Sequence, residues 1–179
     1  MTDPIADYEK AADGFSAVLA QADDLSVSSP CEGWTAQDIV DHVVGGTSYY
    51  AAEFGGTVPE LPPDVDLPTR YDALRAALAD AGRQPGALDQ MVPSPLGGEI
   101  PAAVMLGIYT TDTLIHTWDL ARAIGVDVEL DADLLRRSWD GILPIEEVVR
   151  TPGVFGPAVE IDDSAPFQDR AMAFFGRQP

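Results

Sequence analysis

The longest uninterrupted helical pattern in the chain runs from Pro101 to Gly125, with a proline at its entry and a glycine as its stop. In a chain of 179 residues such a helix sets the architecture, because its apolar positions must be covered by other elements. The rest of the sequence supplies them. From Pro4, the apolar residues Ile5, Tyr8, Ala12, Phe15, Leu19 and Ala22 recur at three- and four-residue intervals, one stripe of a helix capped by Asp3. Thr35 and Asp38 form a Thr-x-x-Asp capping box that opens a second helix carrying Ile39, Val40, Val43, Val44 and Tyr50. Gly45-Gly46 inside it costs about 1 kcal/mol per glycine relative to alanine, which close approach of a neighbouring helix or a ligand would justify. A third stripe, Tyr71, Leu74, Leu78 and Ala81, follows a proline-rich connection containing Pro59, Pro62, Pro63 and Pro68. Further helices are predicted over Ala132 to Val149, perturbed near Pro144, and over Phe167 to Phe175. Leu25 to Trp34 and Thr151 to Ala165 read as loops, and Leu88 to Ile100 has room for a small hairpin. The pattern predicts an all-α bundle in a single domain over residues 1–179.

Composition narrows the partners. Hydrophobic residues at 46% and charged residues at 22% describe an ordinary globular chain, but 30 acidic residues face 10 basic ones, for a net charge of -20. A chain this acidic repels phosphate backbones and anionic headgroups, so nucleic acid and membrane surfaces are excluded as partners. No apolar run approaches the roughly 20 residues that cross a bilayer, and the acidic start Met1-Thr2-Asp3-Pro4 lacks the features of a secretory signal. Cys31, the single cysteine, forms no internal disulfide, and the chain reads as cytoplasmic. Only two histidines are present, so imidazole chemistry near neutral pH falls to His42, His116 or both.

Asp112 and His116 are four residues apart in the Pro101 helix and project from one face, which they share with Met105, Ile108 and Ile115. A carboxylate looking into a bundle needs a cation, a metal or a hydrogen-bonded imidazole. His42, flanked by Ile39, Val43 and Val44, is placed to meet the pair from the second helix. Two imidazoles and one carboxylate make a three-ligand site with an open position, suited to Zn²⁺ or another divalent ion, Ni²⁺ and Fe²⁺ included. A simple i, i+4 ion pair accounts for the same spacing. Asp38 also precedes His42 by four residues, but its capping role already explains it. Trp118 reads as core packing. Cys31 lies just before a helix N-terminus, where the dipole lowers a thiol pKa, although a small residue packing a turn is the simpler reading.

Two segments carry a more specific signal. Ser29-Pro30-Cys31-Glu32-Gly33-Trp34-Thr35, followed by Asp38 and Asp41-His42-Val43-Val44-Gly45-Gly46, resembles the opening motif of the DinB-like family that includes the N-terminal, metal-binding domain of mycothiol-dependent maleylpyruvate isomerase. His116-Thr117-Trp118-Asp119-Leu120-Ala121 is similar to that family's His-x-Trp-Asp-Leu-Ala segment, and the stretches around Phe155-Gly156-Pro157 and Phe174-Phe175-Gly176-Arg177 resemble its short, single-domain actinobacterial members. The resemblance implies a four-helix bundle with additional short helices, whose core binds one divalent ion through His42, Asp112 and His116. Asp112 stands where the related isomerases usually carry Glu. It also implies Asp119 as a group orienting a ligand imidazole. The function implied is a transferase or isomerase that activates a small-molecule thiol, mycothiol, against a small electrophile, in a monomer or homodimer; a noncatalytic metal- or ligand-binding bundle is the alternative.

Overall fold

The computed structural model of the chain describes residues 3–95, 97–150 and 155–179. The predicted loop from Thr151 therefore begins outside the described residues, as do Leu96 in the hairpin segment and Met1-Thr2 at the start. Four long helices form the bundle: α1 (Pro4–Leu19), α2 (Ala36–Glu53), α3 (Leu67–Gly82) and α4 (Ala102–Ile124). Around the bundle the order of neighbours is α1, α4, α2, α3, with α3 returning to α1. Between α3 and α4 the strands β1 (Met91–Pro93) and β2 (Glu99–Pro101) pair antiparallel, Val92 opposite Ile100, as the small hairpin.

Local chemistry places the helix ends. Asp3 accepts from the Ile5 backbone N–H at 2.9 Å, with Pro4 in the first turn. Thr35 and Asp38 form the expected capping box of α2. Gly125 ends α4 in the left-handed region, φ +74. The predicted stripe of α1 reaches to Ala22, but the helix stops at Leu19, because Gln21 and Ala22 donate to Val18 and Leu19 in a tighter terminal turn. The region after Gly125 is broken where Pro144 predicts: α5 (Ala132–Ile142), a single 3₁₀ turn over Leu143–Ile145, then α6 (Glu146–Val149).

Two apolar clusters share α4. The first lies inside the bundle, around Tyr8, Phe15, Ile39, Val43, Leu78, Met105 and Leu106. The second packs the opposite flank of α4, through Leu114, Ile115 and Trp118, against α5 and α7 (Phe167–Phe174). Where α2 meets α4, the Tyr109 hydroxyl donates to the Val43 carbonyl at 2.6 Å and lies 2.7 Å from Thr47 Oγ1. These bonds fix the α2 backbone one residue after His42.

The two glycines of α2 divide. A Cβ on Gly46 would stand 2.8 Å from the Tyr109 ring, whereas one on Gly45 meets nothing within 4 Å. Gly46→Ala is therefore expected to destabilise the protein by about 1–3 kcal/mol through overpacking. Gly45→Ala is expected to stabilise it by about 0.5–1 kcal/mol. Urea unfolding of the pair checks the opposite signs.

Candidate metal centre

His42 on α2 and Asp112 and His116 on α4 converge at the seam between their helices. His42 Nε2 lies 3.0 Å from Asp112 Oδ2, His116 Nε2 lies 3.5 Å from Asp112 Oδ1, and one donor atom from each residue falls within 4.8 Å of the others. The imidazole rings meet edge to face at 4.9 Å. Exposure is graded: the His116 side chain retains 8% of its surface, Asp112 32% and His42 43%. The expected inward orientation thus holds fully for His116, while Asp112 and His42 form an open front facing solvent.

The hydrogen bond to Asp112 raises the His42 pKa above its ordinary value against the opposing effect of burial. Burial acts to raise the Asp112 carboxyl, but the neighbouring His116 and His42 outweigh it and hold the carboxyl below its usual value.

Trp34, on the loop entering α2, covers one side. Its ring stacks on His116 at 5.8 Å and 14° and tilts against His42 at 5.4 Å. The loop is held by Trp34 N–H donating to Cys31 O at 3.0 Å, Ser29 N–H donating to Trp34 O at 3.0 Å, and Gly33 in the left-handed region.

Behind His116 sits Asp119, with no exposed surface. Its Oδ2 is 2.9 Å from His116 Nδ1, but off the line of a ring N–H, so the contact is close without being a straight hydrogen bond. Straight bonds reach Asp119 from elsewhere: Arg177 Nη2 donates at 2.7 Å, Arg177 Nε at 3.1 Å and the Cys31 thiol at 3.3 Å. Burial opposes this charge, yet His116 and Arg177 hold the carboxyl down at about 2.

The same surroundings decide Cys31. Burial first, and the Asp119 charge second, push its thiol up to about 12, so the helix-dipole expectation of a lowered pKa is reversed and the packing role stands. Iodoacetamide labelling of Cys31 at pH 8 is expected to run about 10²- to 10³-fold slower than for a free thiol, since only the thiolate reacts. Mass spectrometry over time reads that rate.

Arg177 and the stacking role of Trp34 were not assigned from sequence. A signal for Arg177 was present: an aspartate in an apolar helix, within a chain holding only 10 cationic side chains, requires a counter-charge. Among the described residues no helix is long and apolar enough to cross a membrane.

Residues 6–121 match the family described as the mycothiol maleylpyruvate isomerase N-terminal domain. Two uncharacterized proteins, one from each of two strains of Mycobacterium tuberculosis, are 33% identical to this chain over 184 residues, covering 98% of this chain and 98% of theirs. Among solved structures, the mycothiol-dependent maleylpyruvate isomerase and a histidine-to-alanine mutant of it share the fold, with TM-scores of 0.57 and 0.59 at 19% identity. Each match covers 74% of this chain and 65% of the isomerase, so the chain spans about two thirds of that protein's length.

Proposed function

Since the chain belongs to the mycothiol maleylpyruvate isomerase N-terminal domain family, we propose that His42, Asp112 and His116 hold one divalent ion in a mycothiol-dependent transferase or isomerase acting on a small electrophile. The observation that carries this reading is the convergence of three donor atoms from two adjacent helices with one side open to solvent. The donor set fits: imidazole nitrogens with one carboxylate suit Zn²⁺ first, and Ni²⁺ or Fe²⁺ as well. A divalent ion held there favours thiolate over thiol in a sulfur bound to it.

The chain's own groups have distinct tasks. His116, buried and backed by Asp119, is the fixed donor; His42, at the exposed front, is the donor nearest an incoming ligand. Two neutral imidazoles and one carboxylate offset half of a divalent charge, which leaves the site able to accept one anion. Trp34 excludes water from the flank it covers. A noncatalytic metal- or ligand-binding protein is the second reading, favoured by the lack of a free general acid or base beside the triad: the single lysine, Lys10, lies on α1 and pairs with Asp131 at 3.0 Å, and Arg177 is committed to Asp119.

Elemental analysis of the purified protein, followed by thiol-transfer assays with and without chelator, tests the proposal. One equivalent of metal and activity requiring both metal and thiol are expected. Tight metal binding with no turnover on any thiol supports the second reading, and absence of stoichiometric metal overturns both. Asp112→Glu is expected to keep or raise metal affinity by lengthening the carboxylate arm, and Asp112→Asn to lower it by removing ligand charge. Competition with a chromophoric chelator ranks the three proteins.

A further inference from the structure

Two groups of donor atoms share His116. On its Nε2 side stand His42 and Asp112; on its Nδ1 side stand Cys31 and Asp119, and in each group the donor atoms lie within 4.8 Å of one another. By spacing alone, either side offers a cation a place. The sides differ in what already occupies them: Arg177 places its guanidinium against Asp119 and Cys31, with Nη2 2.7 Å from Asp119 Oδ2 and 3.5 Å from Cys31 Sγ.

We propose that Arg177 is a positioning residue for the metal centre: as the protein's own cation it closes the Nδ1 side of His116, so that the ion is taken on the Nε2 side. The proposal rests on the metal-binding reading above.

Backbone geometry delivers the guanidinium. After α7, Gly176 adopts φ +84 and its N–H donates to Ala173 O at 3.0 Å, while the Arg177 N–H donates to Met172 O at 2.9 Å, the two bonds of a Schellman ending. A Cβ on Gly176 would lie 3.2 Å from Pro157 O and 3.3 Å from Gly156, so crowding against backbone adds to the strain another residue meets at this φ. Arg177 Nη1 then donates to Phe175 O at 3.0 Å, which leaves Nε and Nη2 directed at Asp119 as a fork.

The fork is what orients Asp119. The His116 Nδ1 contact is short but out of line, and the Cys31 thiol is a weak donor, so neither fixes the carboxylate plane. Two charge-assisted bonds from one rigid guanidinium do. Without Arg177, Asp119 is a buried carboxylate lacking a cation, next to a thiol and an imidazole nitrogen. Those three donors match a soft divalent metal.

Co²⁺ titration of the full chain, followed by visible and near-ultraviolet absorption, distinguishes the two sides, because only the Nδ1 side adds sulfur. In the wild type, one equivalent of Co²⁺ without a thiolate-to-metal charge-transfer band is expected. Arg177→Gln is expected to bind Co²⁺ about 10- to 100-fold more weakly on the Nε2 side and to gain the sulfur band, which disappears in Arg177→Gln/Cys31→Ser. Arg177→Lys, which keeps a charge but loses the fork, is expected to fall between the two and shows the effect if the glutamine variant does not fold. Affinity within twofold of wild type with an unchanged spectrum in the folded variants overturns the proposal. So does weakened binding without the sulfur band, which reduces Arg177 to an anchor of the tail. A wild type that binds no Co²⁺ or Zn²⁺ overturns the metal reading itself, and this proposal with it.

Discussion

On the proposed ligand set, His116→Ala is expected to lose metal binding and stability together, whereas His42→Ala loses metal binding with little cost in stability. Both remove one of three donors, so affinity drops beyond the roughly 10- to 100-fold that follows loss of a group behind a ligand. The difference lies in burial. His42 is exposed over 43% of its side chain and its pairing with Asp112 is a partly solvated contact, so its removal changes metal-free stability by under about 1 kcal/mol. The His116 side chain is 8% exposed and packed between Trp34 and Asp119; deleting it opens a gap and takes one neighbour from a buried carboxylate, at about 1–3 kcal/mol. Elemental analysis combined with urea unfolding in chelator separates the two effects. A full equivalent of metal retained in either variant sinks the ligand set.

Asp119→Ala is expected to be the most damaging single change to stability, about 3–5 kcal/mol, because it leaves Arg177 as an unpaired charge in a buried place. Arg177 keeps 12% of its side-chain surface, so partial access to water moves the expectation toward the lower figure. Asp119→Leu combined with Arg177→Met is expected to recover much of the loss, since replacing both partners leaves no orphan. The effect depends on pH with a definite sign. The Asp119 carboxyl ionises at about 2 in the folded protein against an ordinary 3.8, so its contribution of about 2 kcal/mol is present above pH 4 and fades as pH falls through 2. The stability gap between the metal-free wild type and Asp119→Ala is therefore expected to narrow by about 2 kcal/mol between pH 5 and pH 2. A gap that stays constant across that range is inconsistent with an ion pair at Asp119.

Legibility from sequence followed the range of each interaction. Caps and breakers act within a few residues, so Asp3, Thr35, Gly125 and Pro144 announced their helix boundaries. His42, Asp112 and His116 were legible because i, i+4 spacing pairs two of them and no third histidine competes. The exposure of Asp112 was not, because it depends on how α2 packs against α4, a contact between residues 70 positions apart. Arg177 lies 58 residues from Asp119, and no local pattern records that pairing. Gly46 and Gly45 were indistinguishable until Tyr109, from another helix, filled the space beside only one of them.

The stacking of Trp34 on His116 also makes the centre visible to light. Of the three tryptophans, Trp118 is buried near Arg122 and Trp139 is sandwiched by Phe167 and Phe174, so Trp34 is the indole whose emission senses the two imidazoles. At ring separations of 5.4 and 5.8 Å, a paramagnetic ion held by His42 and His116 as proposed is expected to quench that emission, and closed-shell Zn²⁺ to leave the indole bright. Trp34 emission would thus report which ion the proposed centre takes up, with Trp34→Phe as the blank.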